Sequence, residues 1–168
     1  MKLPLNQLVT INYSKTSCQR REASAKFRQL LKSRFARWLR RNPKNRRQRP
    51  PTYVWCFEAA GNQIAVHWLV HIPRGLIREF RRELPAWVDA TAGKIHDVSF
   101  VKHRPIYNLI GARRYILKGT DPKIARQWKI TPSDQGIVIG KRCGFSQNLG
   151  PVSRKAAGYK SGGHFYDE

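Results

Sequence analysis

The residues with the clearest chemical potential lie in one stretch, Thr52 to Pro73, with the sequence TYVWCFEAAGNQIAVHWLVHIP. Two runs rich in β-branched and aromatic residues flank residues 60–62, a pattern that predicts a β-hairpin. If Glu58 pairs with Ala65, strand alternation places every potential metal ligand or acid–base group of the hairpin on one face. These groups are Cys56, Glu58, His67 and His71. The sequence therefore predicts that chemistry, if there is any, takes place on this face.

The elements around the hairpin follow from hydrophobic periodicity. Leu8 to Tyr13 alternates and predicts a first strand. An apolar stripe at three- and four-residue spacing predicts a helix from Gln19 to Arg41, which ends at Asn42-Pro43. Pro73 opens a second helical segment, in which Pro85 predicts a kink or a restart.

The later elements are shorter. Asp97 to Val101 is a candidate strand, and Tyr107 to Lys118 is a candidate helix that ends at Gly119. Thr120 to Ser133 contains one short helix, and Gln135 to Arg142 is a candidate last strand. The order of elements predicts an α+β fold with an antiparallel sheet and helices mainly on one face. The other face would stay open.

The chain is long enough for one domain, which we assign to residues 1–145 with a basic linker at 42–51. Residues 146–168 are predicted to form a basic, glycine-rich, flexible tail. Three cysteines without CxxC spacing indicate neither a disulfide framework nor a zinc site. No signal peptide and no apolar run of about 18 residues is visible, so we expect a soluble, cytoplasmic protein.

The charge balance points to a polyanionic partner. Thirty-three basic residues stand against ten acidic ones, a formal net charge of +23. So large a surplus repels itself in a compact fold, and it makes sense mainly beside a polyanion. We favour nucleic acid over an acidic membrane surface.

Three segments in order, LVTINY, VHWLVHIP and RRYILKG, resemble the motifs of the HUH superfamily of rolling-circle replication initiators, most closely the small bacterial replication proteins. In that superfamily a first strand precedes a strand with two metal-binding histidines separated by one hydrophobic residue. A later helix carries a nucleophilic tyrosine with a lysine three positions on. Tyr115 and Lys118 match that last motif, His67 matches one histidine, and Glu58 resembles an acidic ligand on the adjoining strand. The similarity covers residues 6–154.

The resemblance implies a ferredoxin- or RRM-like, HUH-type fold and an endonuclease that nicks and rejoins single-stranded or hairpin DNA in a bacterial host, encoded by the host, a plasmid or a phage. Tyr115 would attack a phosphodiester and leave a 5′-phosphotyrosyl enzyme and a free 3′-hydroxyl, with Lys118 beside the same phosphate. Because a phenol has a pKa of about 10, the reaction would need Mg²⁺ or Mn²⁺ to polarise the phosphate.

One position departs from the family pattern, since Ala65 stands where the first histidine belongs. His71 is about 13 Å from His67 along a strand, at about 3.3 Å per residue, so one ion cannot bind both without distortion. Cys56 faces His67 across the predicted pair, and Glu58 lies on the diagonal, so these three could form a reduced site. The alternatives are a decayed site in a protein that binds DNA without cutting it, and ordinary packing of Cys56 and the histidines.

Basic and aromatic residues outside the motifs are candidates for contacts with nucleic acid. The first predicted helix has almost no acids, which favours phosphate contact over a merely solvated face. Trp128, between Arg126 and Lys129, is a candidate for stacking on an unpaired base. The candidate set is Arg34, Arg37, Arg40, Arg41, Arg46, Arg47, Arg113, Arg114, Arg126, Trp128 and Lys129. RNA, bound by a basic structural protein, is an alternative to DNA as the partner.

Overall fold

A computed structural model describes residues 3–45 and 49–158 of the chain. The strands are β1 (Gln7–Asn12), β2 (Tyr53–Glu58), β3 (Ala65–Val70), β4 (Val101–Pro105) and β5 (Cys143–Phe145). The helices are α1 (Ala23–Leu30), α2 (Ala36–Arg41), α3 (Ile77–Ala92), α4 (Leu109–Ile116), α5 (Pro122–Gln127) and α6 (Pro151–Ala156). The strands form one antiparallel sheet in the order β4-β1-β3-β2-β5. This confirms the predicted α+β fold.

The hairpin of β2 and β3 has the predicted register. Glu58 lies opposite Ala65, and Cys56 lies opposite His67. On its other side β3 pairs with β1, which brings Thr10 opposite His67. Side-chain alternation therefore gives the sheet one apolar face and one face with polar groups.

Helices α1 to α3 cover the apolar face. The rings of Phe27 and Phe35 contact Trp68 with centroids 5.5 and 4.9 Å apart, and all three side chains are fully buried. Phe80 of α3 joins them at 5.5 Å from Trp68. Aromatic pairs at these separations add to the free energy of burial. The core thus lies between the sheet and this helix layer.

A π-helical turn, Leu31–Phe35, joins α1 to α2. Leu31, Phe35 and Leu39 are buried and recur every four residues, which is wider than the 3.6-residue turn of an α-helix. The π turn takes up this difference, since the Ala36 N–H donates to the Leu31 carbonyl across five residues. The apolar stripe therefore stays on the sheet through the junction.

The predicted strand from Asp97 to Val101 is wrong. Residues Val98–Phe100 form a 3-10 turn, and the strand begins one turn later as β4. The Asp97 side chain accepts a hydrogen bond of 2.7 Å from the Ser99 N–H, which caps the turn. Local capping of this kind competes with strand pairing.

The predicted strand from Gln135 to Arg142 does not form, and the last strand is the shorter β5 that follows it. Gly136 and Gly140 have φ values of 64° and 89°, which interrupt an extended conformation. The two ends of the segment still bind the edge of β2. The Ala59 N–H donates to the Gln135 carbonyl at 2.7 Å, and the Phe57 N–H donates to the Arg142 carbonyl at 2.8 Å.

The structure adds detail to three predicted segments. Helix α3 runs through Pro85 as one helix instead of restarting there. The linker is anchored at Asn45, which is buried and whose Nδ2 donates to the Leu39 carbonyl at 3.0 Å. The start of the predicted tail contains a 3-10 turn, Gln147–Leu149, and helix α6. Residues 159–168, the rest of that tail, lie outside the described residues.

Replacing Phe35 by Ala should lower the free energy of unfolding by about 3–5 kcal/mol, because the ring is fully buried among Trp38, Tyr53, Trp68 and Phe80. Urea unfolding followed by tryptophan fluorescence measures the change. Phe145→Ala is the matched control, since that ring is 52% exposed and its loss should change stability far less. Equal losses for the two variants would contradict the location of the core.

Candidate active site

Helix α4 lies over the open face of the sheet and carries Tyr115. The helix begins at Asn108, whose Oδ1 accepts a hydrogen bond of 3.0 Å from the Gly111 N–H. The Tyr115 ring contacts the His67 ring edge-on, with centroids 4.7 Å apart. Tyr115 remains 40% exposed, so its hydroxyl is not enclosed in the core. The residues predicted on separate elements therefore meet on one face.

Glu58 contacts the imidazole of His67 and the ammonium of Lys118. Its Oε2 lies 2.9 Å from His67 Nε2 and 2.8 Å from Lys118 Nζ. Lys118 Nζ also lies 4.7 Å from the centre of the Tyr115 ring, within the range of a cation–π contact. Lys118 follows the end of α4, and its ammonium lies over the Tyr115 ring.

His67 is buried, and its other ring nitrogen, Nδ1, also has a hydrogen-bonding partner. Nδ1 lies 3.0 Å from Thr10 Oγ1 on β1. Burial lowers the pKa of His67, and it outweighs the opposing effect of Glu58; the charge of Lys118 lowers the pKa further. The imidazole is therefore neutral near pH 7. The tautomer that donates Nε2–H to Glu58 accepts from the Thr10 hydroxyl at Nδ1, whereas a cation at Nε2 requires the other tautomer, in which Nδ1–H donates to Thr10.

Glu58 is ionised at the same pH. Burial acts to raise the pKa of this carboxyl, but the contacts with Lys118 and His67 outweigh it and lower the pKa below its ordinary value. A carboxylate and a neutral imidazole whose atoms lie 2.9 Å apart form a small region of electron-rich donors. Lys118 balances part of that negative charge.

The donors Glu58 Oε2 and His67 Nε2 suit a divalent cation. Both atoms are buried, and within the described residues neither makes a hydrogen bond of good geometry, although they lie 2.9 Å apart. Two ligand atoms bound at about 2.1 Å to one ion, at right angles, are separated by about 3 Å, which matches this spacing. Among the described residues, no three or more His, Cys, Asp or Glu side chains are grouped so that they could hold one metal ion. Two protein ligands still suffice for Mg²⁺, which commonly takes the rest of its shell from water and substrate phosphates.

Cys56 is not available as a ligand. It forms a disulfide with Cys143 of β5, which lies directly opposite in the sheet. A disulfide sulfur has no thiolate to offer a metal, so the assignment of Cys56 to the metal site is wrong in this structure. The expectation of unpaired cysteines is corrected with it. The sequence missed the pair because the predicted last strand ended at Arg142, and no pairing of residues after it with β2 was predicted.

His71 lies away from the site. Its Nδ1 is 2.8 Å from the Pro4 carbonyl, and its Nε2 is 3.2 Å from Arg49 Nη1. Burial, followed by the charge of Arg49, lowers the pKa of His71. The structure gives this histidine a packing role at the end of β3.

A cleft of about 780 Å³ opens in front of Glu58, His67 and Tyr115. Its walls include residues that the sequence did not single out: Thr10, Lys15, Lys102, Arg104 and Tyr107. Across the sheet, Lys102, Thr10, His67, Cys56 and Cys143 form one row, each opposite the next. Lys102 and Arg104 lie two residues apart on β4, so both face the cleft. If the bounds of that strand had been predicted correctly, its alternation would have identified both residues.

The candidate contacts with nucleic acid fall into separate groups. Arg34, Arg37, Arg40 and Arg41 are exposed on the helix layer, on the side of the sheet opposite the cleft. On the helix of Tyr115, Arg113 is half-buried and Arg114 is exposed. Arg126, Trp128 and Lys129 are exposed at the end of α5, where Trp128 is 48% exposed. Arg46 and Arg47 lie outside the described residues.

No family model matches the chain, and comparison with curated proteins and with solved structures finds no match. Within residues 3–45 and 49–158, none of the helices has the length and apolar character needed to cross a bilayer.

Replacing Lys118 by Met should raise the pKa of both His67 and Glu58. The ammonium lowers both values, so its loss favours protonation of each group. An NMR pH titration of the imidazole and carboxyl resonances measures the two changes. Lys26→Met, on α1 across the sheet, is the matched control and should leave both titrations unchanged. Unchanged titrations in the Lys118 variant would contradict the contact between Lys118 and Glu58.

Proposed function

We propose that the protein nicks and rejoins single-stranded DNA through a covalent phosphotyrosine at Tyr115. The observation that carries the proposal is that Tyr115 and Lys118 meet Glu58 and His67 of the β2–β3 hairpin, which is distant from them in sequence, beside one cleft. A tyrosine with only a packing role would not need a carboxylate, an imidazole and an ammonium group around it. Clusters of this kind, with shifted pKa values, mark candidate functional sites.

The architecture supports the same function. The chain follows the order strand, helix, strand, strand, helix, strand up to β4, which is the order of ferredoxin-like folds. The resemblance to HUH initiators calls for a tyrosine helix set against the strand with the histidine. The contact between the rings of Tyr115 and His67 agrees with that requirement.

The reaction we propose is a transesterification. The phenolic oxygen of Tyr115 attacks the phosphorus, and the bond from phosphorus to the 3′ oxygen breaks with its electron pair on that oxygen. The phenol releases its proton to water, and the departing 3′ oxygen takes one from water. The products are a 5′-phosphotyrosyl enzyme and a free 3′-hydroxyl. Attack by a 3′-hydroxyl on the phosphotyrosine reverses the step and rejoins the strand.

The residues of the site each have a task in this scheme. Lys118, whose Nζ lies 4.7 Å from the centre of the Tyr115 ring, offsets the negative charge that develops on the phenolic oxygen. Glu58 and His67 would hold Mg²⁺ or Mn²⁺, which when bound polarises the phosphate. Thr10 fixes the orientation of the imidazole through Nδ1, as partners of metal-binding histidines commonly do.

Tyr115→Phe should abolish a covalent adduct with labelled single-stranded DNA in the presence of Mn²⁺, because only the attacking oxygen is removed. Denaturing gel electrophoresis detects the adduct. Tyr107→Phe is the matched control, since this tyrosine also lines the cleft, is 92% exposed and should keep the adduct. An adduct that survives in the Tyr115 variant would overturn the assignment of the nucleophile.

A second candidate function is non-catalytic binding of nucleic acid by the same fold. Two observations favour it: Ala65 stands beside the site in place of a ligand, and the Lys118 ammonium lies 2.8 Å from the carboxylate that a cation would need. This function predicts binding that weakens steeply with salt and is indifferent to chelator. Adduct formation that depends on Mn²⁺ would exclude it.

Ala65→His should tighten Mn²⁺ binding, because the new imidazole would lie on the face of Glu58 and His67, at the wall of the cleft. Each 1.4 kcal/mol that the ligand adds is worth about tenfold in affinity. Electron paramagnetic resonance of free Mn²⁺ measures the change. Ala125→His is the control. It places a histidine at the buried position of α5, away from Glu58 and His67, and should not tighten Mn²⁺ binding. Equal affinities in the Ala65 variant and the parent would count against a cation at Glu58 and His67.

A further inference from the structure

The helix layer opposite the cleft carries a second concentration of positive charge. We define the arginine face as the exposed basic residues of α1, the π turn and α2, namely Arg28, Lys32, Arg34, Arg37, Arg40 and Arg41. No acidic residue lies between Ala23 and Arg41. In the described part of the chain, no salt bridge pairs any member of this face with a carboxylate. We propose that the arginine face binds the phosphate backbone of duplex DNA while the cleft holds a single strand.

The geometry of the face suits a regular polyanion. From Ala23 to Arg41 the chain runs about 28 Å, at about 1.5 Å per residue. Arg34, Arg37 and Arg41 lie on successive helical turns, at axial intervals of about 4.5 and 6 Å. They line a groove of about 490 Å³ beside Trp38 and Glu79. The three guanidinium groups can therefore reach phosphates along about 10 Å of one backbone.

The lack of stacking groups on this face favours a duplex over an unpaired strand. Unpaired nucleic acid is held by aromatic side chains on which bases stack. Trp38 is only partly exposed, and its Nε1 donates to Glu79 Oε1 at 2.9 Å. Trp87 is 7% exposed. Among the described residues, every large exposed hydrophobic side chain lies outside α1, α2 and α3.

The cleft side has the opposite character. Tyr107 and Tyr115 are exposed there, and Lys102 and Arg104 stand on the edge strand β4. Aromatic and basic groups together fit a single strand. The sheet separates the two surfaces, so both can be occupied at once. This inference goes beyond the proposed nicking reaction, since the arginine face takes no part in it.

The binding test compares two sets of substitutions in a Tyr115→Phe background, which prevents covalent capture. The plot of the logarithm of the duplex binding constant against the logarithm of the salt concentration has a slope of about −0.9 for each phosphate contact. The variant Arg34→Ala/Arg37→Ala/Arg41→Ala loses three such contacts, so its slope should be smaller in magnitude by nearly three units. Lys102→Ala/Arg104→Ala should weaken single-strand binding and leave the duplex slope unchanged. Fluorescence anisotropy with each labelled DNA, from 50 to 400 mM salt, measures both. Circular dichroism and urea unfolding confirm that the variants fold.

A bridging test asks whether both surfaces act together. Protein saturated with an immobilised single strand should retain a labelled duplex, and the triple arginine variant should lose that duplex while keeping the single strand. A duplex slope unchanged in the triple variant would overturn the proposal. The proposal would also be overturned if the protein with its arginine face intact retained anionic lipid vesicles but no duplex. Neither measurement needs the nicking reaction. A failure to form the covalent adduct would therefore count against the proposed function without affecting this test of the arginine face.

Discussion

The pairing register of the β2–β3 hairpin decides where every functional group lies. Glu58 opposite Ala65 and Cys56 opposite His67 put the charged groups on the open face and Trp55, Phe57 and Trp68 in the core. A slip of one residue would exchange the two faces. The hydrophobic free energy of the core residues therefore holds the chemistry in place, although none of them takes part in it. The register of β3 with β1 gives Thr10 its contact with His67.

Electrostatics at the site follows from that placement. A buried imidazole loses affinity for a proton, while a carboxylate between an ammonium and an imidazole keeps its charge. Neutral His67 and ionised Glu58 are the forms that a cation would bind. Lys118 touches both Glu58 and the Tyr115 ring, so it links the acidic pair to the phenol. The site is thus a network of three elements, in which no single residue suffices.

Sequence reasoning predicted the hairpin well because turn residues and strand alternation act over short distances. The meeting of Tyr115 with His67 was also expected, but from the order of motifs and not from any local pattern. Two of the failures have local causes. The Asp97 cap turned a candidate strand into a 3-10 turn, and two glycines of positive φ interrupted the segment before β5. The pairing of Cys56 with Cys143 depends on a contact 87 residues apart in sequence, which periodicity does not reveal.

The disulfide has a topological consequence. By joining Cys56 to Cys143 it closes a covalent ring that contains β3, α3, β4, α4 and α5. A ring of 87 residues removes about 4 to 5 kcal/mol of chain entropy from the unfolded state in the loop-closure treatment. A protease that cuts one peptide bond inside the ring, for example in the exposed stretch after Trp128, would leave both fragments in one molecule. The nicked protein would run as a single species until a reductant opened the ring.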